Sequence, residues 1–242
     1  MTTLFISDLH LEDSRPDITD ALLHLLAGEA RSADALYVLG DLFEAWIGDD
    51  DDSALADTVA LALRAVADAG VAIAFVHGNR DFLIGNDYAQ RCGMRLLDDA
   101  SVVDVHGVPT LLLHGDTLCT ADTAYLQFRA QVRQPSWQTA FLSQPLPARR
   151  AFAANARAQS KLHTQSAAMT IMDVAEDAVA DAFRSHRVQR MIHGHTHRPA
   201  IHAPLRVDGL DCQRIVLGDW HRNGSILHVD GAGLTLDTLP FQ

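Results

Sequence analysis

The chain has 242 residues, of which 48% are hydrophobic and 21% are charged, and its formal net charge is −12. These values suit one globular domain, or one domain with a large insertion, and the acidic balance argues against general nucleic-acid binding. The three cysteines are scattered and do not form a disulfide framework, and no apolar run approaches the ~20 residues that span a bilayer.

Five short apolar runs predict buried strands, and each run is followed by polar residues. In chain order they are TLFIS before Asp8 and His10, ALYVL before Asp41, VAIAFV before Asn79, TLLL before His114, and QRMI before His195 and His197. Short runs rich in Val, Ile, Leu and Phe are typical of strands buried on both faces. Because parallel strands end at one edge of a sheet, we expect these polar side chains to gather there.

Helical periodicity separates the strands. ITDALLHLLAGEA and SALADTVALALRAVADAG carry apolar residues at the spacing of an amphipathic helix. This alternation of strands and helices predicts a layered α/β domain. In the tail, RIVLGDW and GSILHVDGAGLTLDTL predict antiparallel strands joined by glycine turns.

Residues 118–185 interrupt the alternation and predict a helical cap inserted into a single domain that spans residues 1–242. Between Thr120 and Gln165 there are six basic residues and one acid, Asp122, in a chain that is acidic overall. One interpretation is a helical pair packed on the core with a solvated basic face. The other is a cap that binds an anionic, apolar ligand or an anionic membrane surface. The acidic stretch GDDDD lacks the spacing of a calcium loop and predicts a solvated loop.

The polar residues after the strands are typical metal ligands. The candidates are Asp8, His10, Asp41, Asn79, His114, His195 and His197. Asp8 and His10 are two residues apart, and in an extended segment both side chains would point to one side. Neighbouring carboxylates repel each other unless a cation lies between them. Imidazole, carboxylate and amide without thiolate suit Mn²⁺, Fe or Zn²⁺, and the harder mixed set favours Mn²⁺.

Seven ligands are too many for one ion with open positions, but they suit two ions. Two ions about 3.5–4 Å apart can each bind a phosphate oxygen and lower the pKa of a bridging water. The sequence therefore predicts a two-metal hydrolytic site that acts on a phosphate compound.

The order of these motifs resembles a known family. D-x-H, GD, GN, H and GHxH follow one another from Asp8 to His197, as they do in the calcineurin-like metallophosphoesterases. A narrower set resembles the UDP-2,3-diacylglucosamine pyrophosphatases of the lipid A pathway: ISDLHL, GDLFEAWIGDD, HGNRDFL, HGDTLCT, IMDV and HGHTHRP. The resemblance implies a four-layer αββα sandwich with a helical cap.

The resemblance also implies two Mn²⁺ ions and assigns their ligands. The first ion would take Asp8, His10, Asp41 and His197. The second would take Asp41, Asn79, His114 and His195. Asp41 would bridge the two ions. The implied reaction cleaves the diphosphate of UDP-2,3-diacylglucosamine into UMP and 2,3-diacylglucosamine 1-phosphate, at the cytoplasmic face of a Gram-negative inner membrane with peripheral attachment.

Arg80 stands where many metal-dependent phosphatases have a histidine that protonates the leaving group. An alkoxide leaving group gains about 10²–10⁴-fold from such an acid, whereas a phosphate ester is already stable as an anion. Two adjacent phosphates instead require charge neutralisation, which a guanidinium fork supplies. We therefore predict Arg80 as a catalytic residue, and the resemblance implies that Asp41, between the two ions, and His195, which reaches the substrate, act with it. The alternative is an ion pair of Arg80 with Asp81 or Asp41 that only braces the loop.

The resemblance further implies a set of substrate contacts. They are Asn79, Arg80, Asp122, Ser160, Thr164 and His195. The match is incomplete, because the family has asparagine at Thr164 and lysine at Ala167, so that one contact is missing or is taken over by Arg157. Asp122 is alternatively a helix N-cap, since aspartate is favoured there.

Two other functions remain open on the sequence. A soluble nucleotide pyrophosphatase, such as a dinucleoside polyphosphate hydrolase, would use the same metal ligands without an apolar cap. A non-catalytic scaffold would use the fold only for binding, and the presence of all seven ligands disfavours it.

Overall fold

The computed structural model of the chain describes residues 1–166 and 173–241, with side chains described up to residue 160 in the first range. The strands are β1 (Thr2–Ile6), β2 (Ala35–Val38), β3 (Ala72–Val76), β4 (Met94–Leu97), β5 (Ala100–Val105), β6 (Val108–Leu113), β7 (Arg190–His193), β8 (Ala200–Ile201), β9 (Leu205–Val207), β10 (Leu210–Val216), β11 (Gly224–Asp230) and β12 (Gly233–Leu239). The helices are α1 (Pro16–Ala27), α2 (Ala54–Asp68), α3 (Asn86–Cys92), α4 (Thr123–Val132), α5 (Pro135–Leu142), α6 (Leu146–Ser166) and α7 (Glu176–His186), with short 3₁₀ turns at Glu29–Ser32 and Asp116–Leu118.

The strands form two sheets. The first has the order β12-β11-β1-β2-β3-β4 and the second β5-β6-β7-β10-β8, with β9 paired to β10. β1 to β4 run parallel to one another. The five apolar runs are strands, as predicted. The antiparallel prediction for the tail holds for β11 and β12 and for the pairing of β10 with β8 and β9, but β10 also pairs in parallel with β7.

Both faces of the central strands are buried, which explains their unbroken apolar sequence. In β1, Leu4 and Ile6 face the helices, whereas Phe5 faces the second sheet. Ile192 of β7 contributes to the same cluster between the sheets as Phe5. The sandwich is therefore held by apolar contact on each side of every central strand.

The hydrophobic clusters on the outer faces of the two sheets define the layers of the fold. Helices α1, α2 and α3 cover the outer face of the first sheet. On the outer face of the second sheet, Val179 and Phe183 of α7 pack against Leu111 and Met191. The order helix, sheet, sheet, helix confirms the predicted four-layer αββα class.

Helices α4 to α6, here called the cap helices, lie outside these layers, whereas α7 belongs to them. The cap is attached both by apolar contact, since Phe141 of α5 belongs to the cluster beneath the first sheet, and by ion pairs. Arg149 pairs with Asp50, and Arg150 pairs with Asp51 and Asp52. The acidic loop is exposed at Asp50 and Asp52, as predicted, and three of its carboxylates also face cap arginines, because the two charge-rich segments have opposite sign.

Within the described residues, no helix is both long and apolar enough to cross a membrane. The three cysteines, Cys92, Cys119 and Cys212, are buried and unbridged.

Candidate metal centre

The candidate ligands lie in the loops that follow β1, β2, β3, β6 and β7. Five of them have a positive φ: Asp8 (56°), His10 (50°), Asp41 (53°), His195 (67°) and His197 (55°). The prediction that Asp8 and His10 lie in an extended segment is therefore wrong. A positive φ is uncommon for residues with a side chain, and such strain concentrates at functional sites. These turns aim the side chains inward immediately after each strand ends.

Glycines in the motifs allow these loops to approach one another. A Cβ atom placed on Gly78 would lie 2.1 Å from Oδ1 of Asp41, and one on Gly194 would lie 2.1 Å from Oδ2 of Asp8. Real Cβ atoms do not come so close to other heavy atoms. The glycines in HGN and HGH thus bring backbone against two candidate ligand carboxylates.

One group of ligand atoms gathers around Asp8. Nε2 of His197 lies 3.3 Å from Oδ1 of Asp8, and Nε2 of His10 lies 3.3 Å from Nε2 of His197. Oδ2 of Asp41 is 3.7 Å from Nε2 of His10. We call this group the first cluster.

A second group gathers around Asn79. Its Oδ1 lies 2.9 Å from Nε2 of His114 and 2.9 Å from Nδ1 of His195. Oδ1 of Asp41 is 3.7 Å from Nε2 of His114. We call this group the second cluster. The two oxygens of Asp41 thus face one cluster each.

The donor set fits a cation in the first cluster. Oδ2 of Asp8 accepts hydrogen bonds from the Ser7 hydroxyl at 2.6 Å and from the His195 amide at 2.9 Å. Its Oδ1 is buried and accepts no hydrogen bond from the described residues. A buried carboxylate oxygen without a donor, facing two imidazole nitrogens, is what a bound cation requires.

In the metal-free clusters, the pKa values of two neighbouring histidines shift in opposite directions. Burial lowers the pKa of His195 to about 4. Burial also opposes the charge on His197, but contact with the Asp8 carboxylate outweighs it and raises that pKa to about 9. Burial alone would raise the pKa of Asp8, yet His197 and His114 hold it well below its usual range. Without a cation, the first cluster therefore pairs an ionised carboxylate with a protonated imidazole.

Oxygen atoms outside the two clusters lie against the candidate ligand histidines. Nδ1 of His114 donates to the carbonyl of Leu39 at 2.8 Å, which leaves the Nε2 lone pair for the second cluster. Nδ1 of His10 lies 2.8 Å from Oε2 of Glu44. Such partners set which ring nitrogen carries the proton.

Two carboxylates that lie against candidate ligand histidines were not predicted from the sequence. Glu44 lies inside the quoted motif GDLFEAWIGDD, and Asp219, whose Oδ2 is 3.5 Å from Nδ1 of His197, follows the run RIVLG. The rule that polar residues after a strand form the site would have found Asp219. Only the fold brings Glu44 to His10.

A third unpredicted carboxylate is Asp116, in the turn after β6. It is buried and accepts hydrogen bonds from the Tyr125 hydroxyl and, at 2.7 Å, from Nε of Arg129. The ring of Tyr125 lies 6.2 Å from that of His195. Asp116 thus connects cap helix α4 to the loop that carries His114.

Arg80 lies beside both the clusters and the cap. Its backbone N–H donates to Oδ1 of Asp41 at 2.9 Å, and its Nη2 lies 3.5 Å from the Ser160 hydroxyl. Its Nε is buried and makes no hydrogen bond to the part of the chain that the structure describes. Among the described residues no carboxylate forms an ion pair with its guanidinium, so the alternative of a bracing ion pair is wrong.

Asp81, proposed as a partner of Arg80, has another role. Its carboxylate is fully buried and accepts from the backbone N–H groups of Leu42 at 2.7 Å and Gly78 at 2.9 Å. It therefore joins the loops after β2 and β3.

The structure places the other predicted substrate contacts in three different situations. Asp122 accepts from the Tyr125 amide at 3.0 Å and is the N-cap of α4. The side chain of Thr164 and all of Ala167 lie outside the described residues. Arg157 pairs with Glu44, so its guanidinium is already engaged and does not stand free to replace the missing lysine.

Fold and site together define a class of protein, the metal-dependent phosphoesterases built as an αββα sandwich. The chain belongs to the calcineurin-like phosphoesterase family, whose model matches residues 1–199. The family resemblance of the sequence is thereby confirmed.

Curated relatives match over nearly the whole length. The chain is 57% identical to a protein of Stenotrophomonas maltophilia K279a named UDP-2,3-diacylglucosamine hydrolase, over 99% of both chains. It is 56% identical over 98% of both chains to a protein of the same name from Xanthomonas oryzae pv. oryzae PXO99A. These matches confirm the narrower resemblance. A solved archaeal phosphodiesterase has a TM-score of 0.50 and 13% identity, covering 99% of this chain and 100% of that one, and supports the fold alone.

Proposed function

We propose that the protein hydrolyses the diphosphate bond of UDP-2,3-diacylglucosamine to UMP and 2,3-diacylglucosamine 1-phosphate. The observation that carries this proposal is the identity of 57% over 99% of both chains with a relative named for that substrate. The two ligand clusters that share Asp41 support the same chemistry.

The proposed cofactors are two Mn²⁺ ions, one in each cluster. The first is held by Asp8, His10, Asp41 and His197. The second is held by Asp41, Asn79, His114 and His195. Mixed oxygen and imidazole ligands suit Mn²⁺. A bound pair of divalent ions polarises phosphate oxygens and lowers the pKa of a coordinated water.

The protein's own side chains complete the chemistry. Arg80 has no carboxylate partner among the described residues and sits on the loop of Asn79, so its fork neutralises charge on the diphosphate. His195, with its pKa lowered to about 4, stays neutral and keeps a lone pair for metal or substrate. Ser160, in contact with Arg80, offers a hydroxyl to the headgroup.

The cap is proposed to hold the acyl chains. Trp137, Phe141 and Phe152 form one aromatic cluster, with ring centroids 4.9 to 5.7 Å apart. Phe152 and Leu142 remain 40% exposed. Each CH₂ group buried there contributes about 0.8 kcal/mol.

This cap also bears on location. The arginines of the cap pair with core carboxylates. We therefore expect the cap to contact a lipid through its apolar side chains rather than through unpaired positive charge. We propose peripheral association with the cytoplasmic face of the inner membrane through this apolar surface.

The test is a hydrolysis assay in Mn²⁺ and detergent, with products resolved by mass in ¹⁸O-labelled water. The substrates are UDP-2,3-diacylglucosamine, an unacylated UDP-sugar and a dinucleoside polyphosphate. We expect rapid cleavage of the acylated substrate alone, with ¹⁸O in UMP. Equal or faster cleavage of the soluble nucleotides would favour the nucleotide pyrophosphatase, and no cleavage of any substrate would favour the scaffold.

The same assay separates the roles of Arg80. Arg80→Ala is expected to lower kcat/KM by about 10²–10³-fold, as the loss of one charge-stabilising donor does, with bound metal unchanged. Arg95→Ala, an exposed arginine on β4, is the matched control. Loss of metal with Arg80→Ala would contradict a direct role in substrate stabilisation.

A further inference from the structure

Glu44 contacts a candidate metal ligand and the cap at the same time. Oε2 of Glu44 lies 2.8 Å from Nδ1 of His10. Oε1 of Glu44 pairs with Nη2 of Arg157 in α6. In addition, Nη1 of Arg157 donates to the backbone carbonyl of Glu44 at 2.7 Å. One carboxylate therefore joins the first cluster to a cap helix.

The backbone holds Glu44 in this place. The His10 amide donates to the carbonyl of Asp41 at 2.9 Å, the Leu11 amide to that of Leu42 at 2.9 Å, and the Glu44 amide to that of Leu11 at 3.1 Å. These bonds pair the segment after β1 with the segment after β2. These bonds fix the backbone of Glu44 beside His10 and leave its side chain free to rotate.

The two oxygens of Glu44 have separate partners. Oε2 faces His10, in contact but not aligned as a hydrogen bond, and Oε1 faces Arg157. A carboxylate near Nδ1 favours the tautomer with its proton there, which leaves the Nε2 lone pair toward the first cluster. Arg157 limits the side-chain rotation of Glu44, so Oε2 stays near the ring.

We propose that Glu44 is a positioning residue for His10, and that Arg157 of the cap holds Glu44 in that role. Attachment of α6 thereby strengthens metal retention in the first cluster. This inference rests on the proposed metal centre but not on the identity of the substrate.

The test measures Mn²⁺ binding to metal-free protein by competition with a fluorescent chelator, without substrate. Loss of an outer partner of a ligand histidine typically costs about 10–100-fold in metal affinity. Glu44→Ala is expected to weaken one of the two sites by that factor and to leave the other unchanged. Glu44→Gln keeps nearly the shape of the glutamate side chain, and its Mn²⁺ affinity provides the same test if the alanine variant does not fold. Circular dichroism of the metal-free variants checks the fold.

Arg157 provides the second part of the experiment. Arg157→Ala is expected to weaken the same site by a smaller factor, and Glu44→Ala combined with Arg157→Ala is expected to be no weaker than Glu44→Ala alone. That non-additivity is the signature of Arg157 acting through Glu44. Full additivity would overturn the coupling.

Glu29→Gln is the matched control, because Glu29 also pairs with a histidine, with its Oε1 2.6 Å from Nε2 of His228, away from the clusters. It should bind Mn²⁺ as the unaltered protein does. In activity assays, Glu44→Gln should raise the Mn²⁺ concentration for half-maximal rate, with kcat largely restored at saturating Mn²⁺. Unchanged Mn²⁺ affinity in both Glu44 variants would overturn the proposal.

Discussion

At the scale of single residues, the first cluster combines groups that titrate in opposite directions. Contact with Asp8 outweighs burial and raises the pKa of His197 to about 9, whereas the pKa of Asp8 is held well below its usual range. In metal-free protein near neutral pH, a proton occupies the imidazole nitrogen that a metal would need. Metal binding must therefore displace that proton.

This exchange predicts a pH dependence of metal binding. Below about pH 9 His197 is protonated in the metal-free protein, so the apparent affinity of the first cluster for Mn²⁺ should rise with pH and level off near pH 9. For one displaced proton the rise approaches tenfold per pH unit. Chelator competition between pH 6.5 and 9, and calorimetry in buffers of different ionisation enthalpy, measure the affinity and the proton release.

His228→Gln is the control for that experiment. His228 pairs with Glu29 and Asp237 away from the clusters, so its removal should leave the slope unchanged. A flat profile over this pH range would contradict the displacement of a proton from His197.

At the scale of elements, the loops after β2 and β3 interlock to hold Asp41. Asp81 accepts three backbone N–H groups, from Asp41 and Leu42 in one loop and from Gly78 in the other. Gly78 leaves the space into which the Asp41 carboxylate fits. Asp41 is thus positioned by contacts between two loops rather than by its own strand.

Gly78→Ala tests this interlocking. The added Cβ would lie 2.1 Å from Oδ1 and 2.3 Å from the backbone nitrogen of Asp41, so the loops must separate. Overpacking of this kind typically costs about 1–3 kcal/mol, and we expect bound metal to fall as Asp41 moves. Urea unfolding and metal analysis measure both effects.

The control for Gly78→Ala is Gly231→Ala, in the turn between β11 and β12. Nothing lies within 4 Å of a Cβ at that position, so stability and metal content should hardly change. Retention of full metal content by Gly78→Ala would show that Asp41 does not depend on the close approach.

At the scale of the whole molecule, the basic cap is attached to an acidic core. Arg149 is 2% exposed and, besides Asp50, donates to the carbonyls of Ile47 at 2.6 Å and Gln144 at 2.9 Å. Arg150 is exposed and pairs with carboxylates at the surface. The buried arginine should therefore contribute more to cap attachment than its neighbour in sequence.

Two methionine variants compare these neighbours. Arg149→Met leaves buried carbonyls without donors and should destabilise the protein by about 1–3 kcal/mol. Arg150→Met removes an exposed pair and should cost under about 1 kcal/mol. Urea unfolding gives the stabilities, and limited proteolysis reports cap release, which should be faster only for Arg149→Met. Equal effects would contradict attachment through the buried arginine.

The sequence by itself determined the strands, the layered class and the candidate ligands. The LFI of TLFIS and the whole of VAIAFV are unbroken apolar runs because both faces of each strand are buried, and that pattern is local. The ligand types follow each run directly. The spacing of His195 and His197 after the fifth strand marked both as candidate ligands, whereas His193 is a fully buried histidine bonded to Gly194 and Arg214.

Only the tertiary structure decided how the ligands converge and what the charges contact. Asp8 and His10 meet through left-handed turns that a two-residue spacing does not reveal. Glu44, far from Arg157 in sequence, reaches both it and His10 because the segments after β1 and β2 pair. The cap's positive charge suggested an anionic ligand, but long-range ion pairs engage it, and such pairs leave no periodic signal in a sequence.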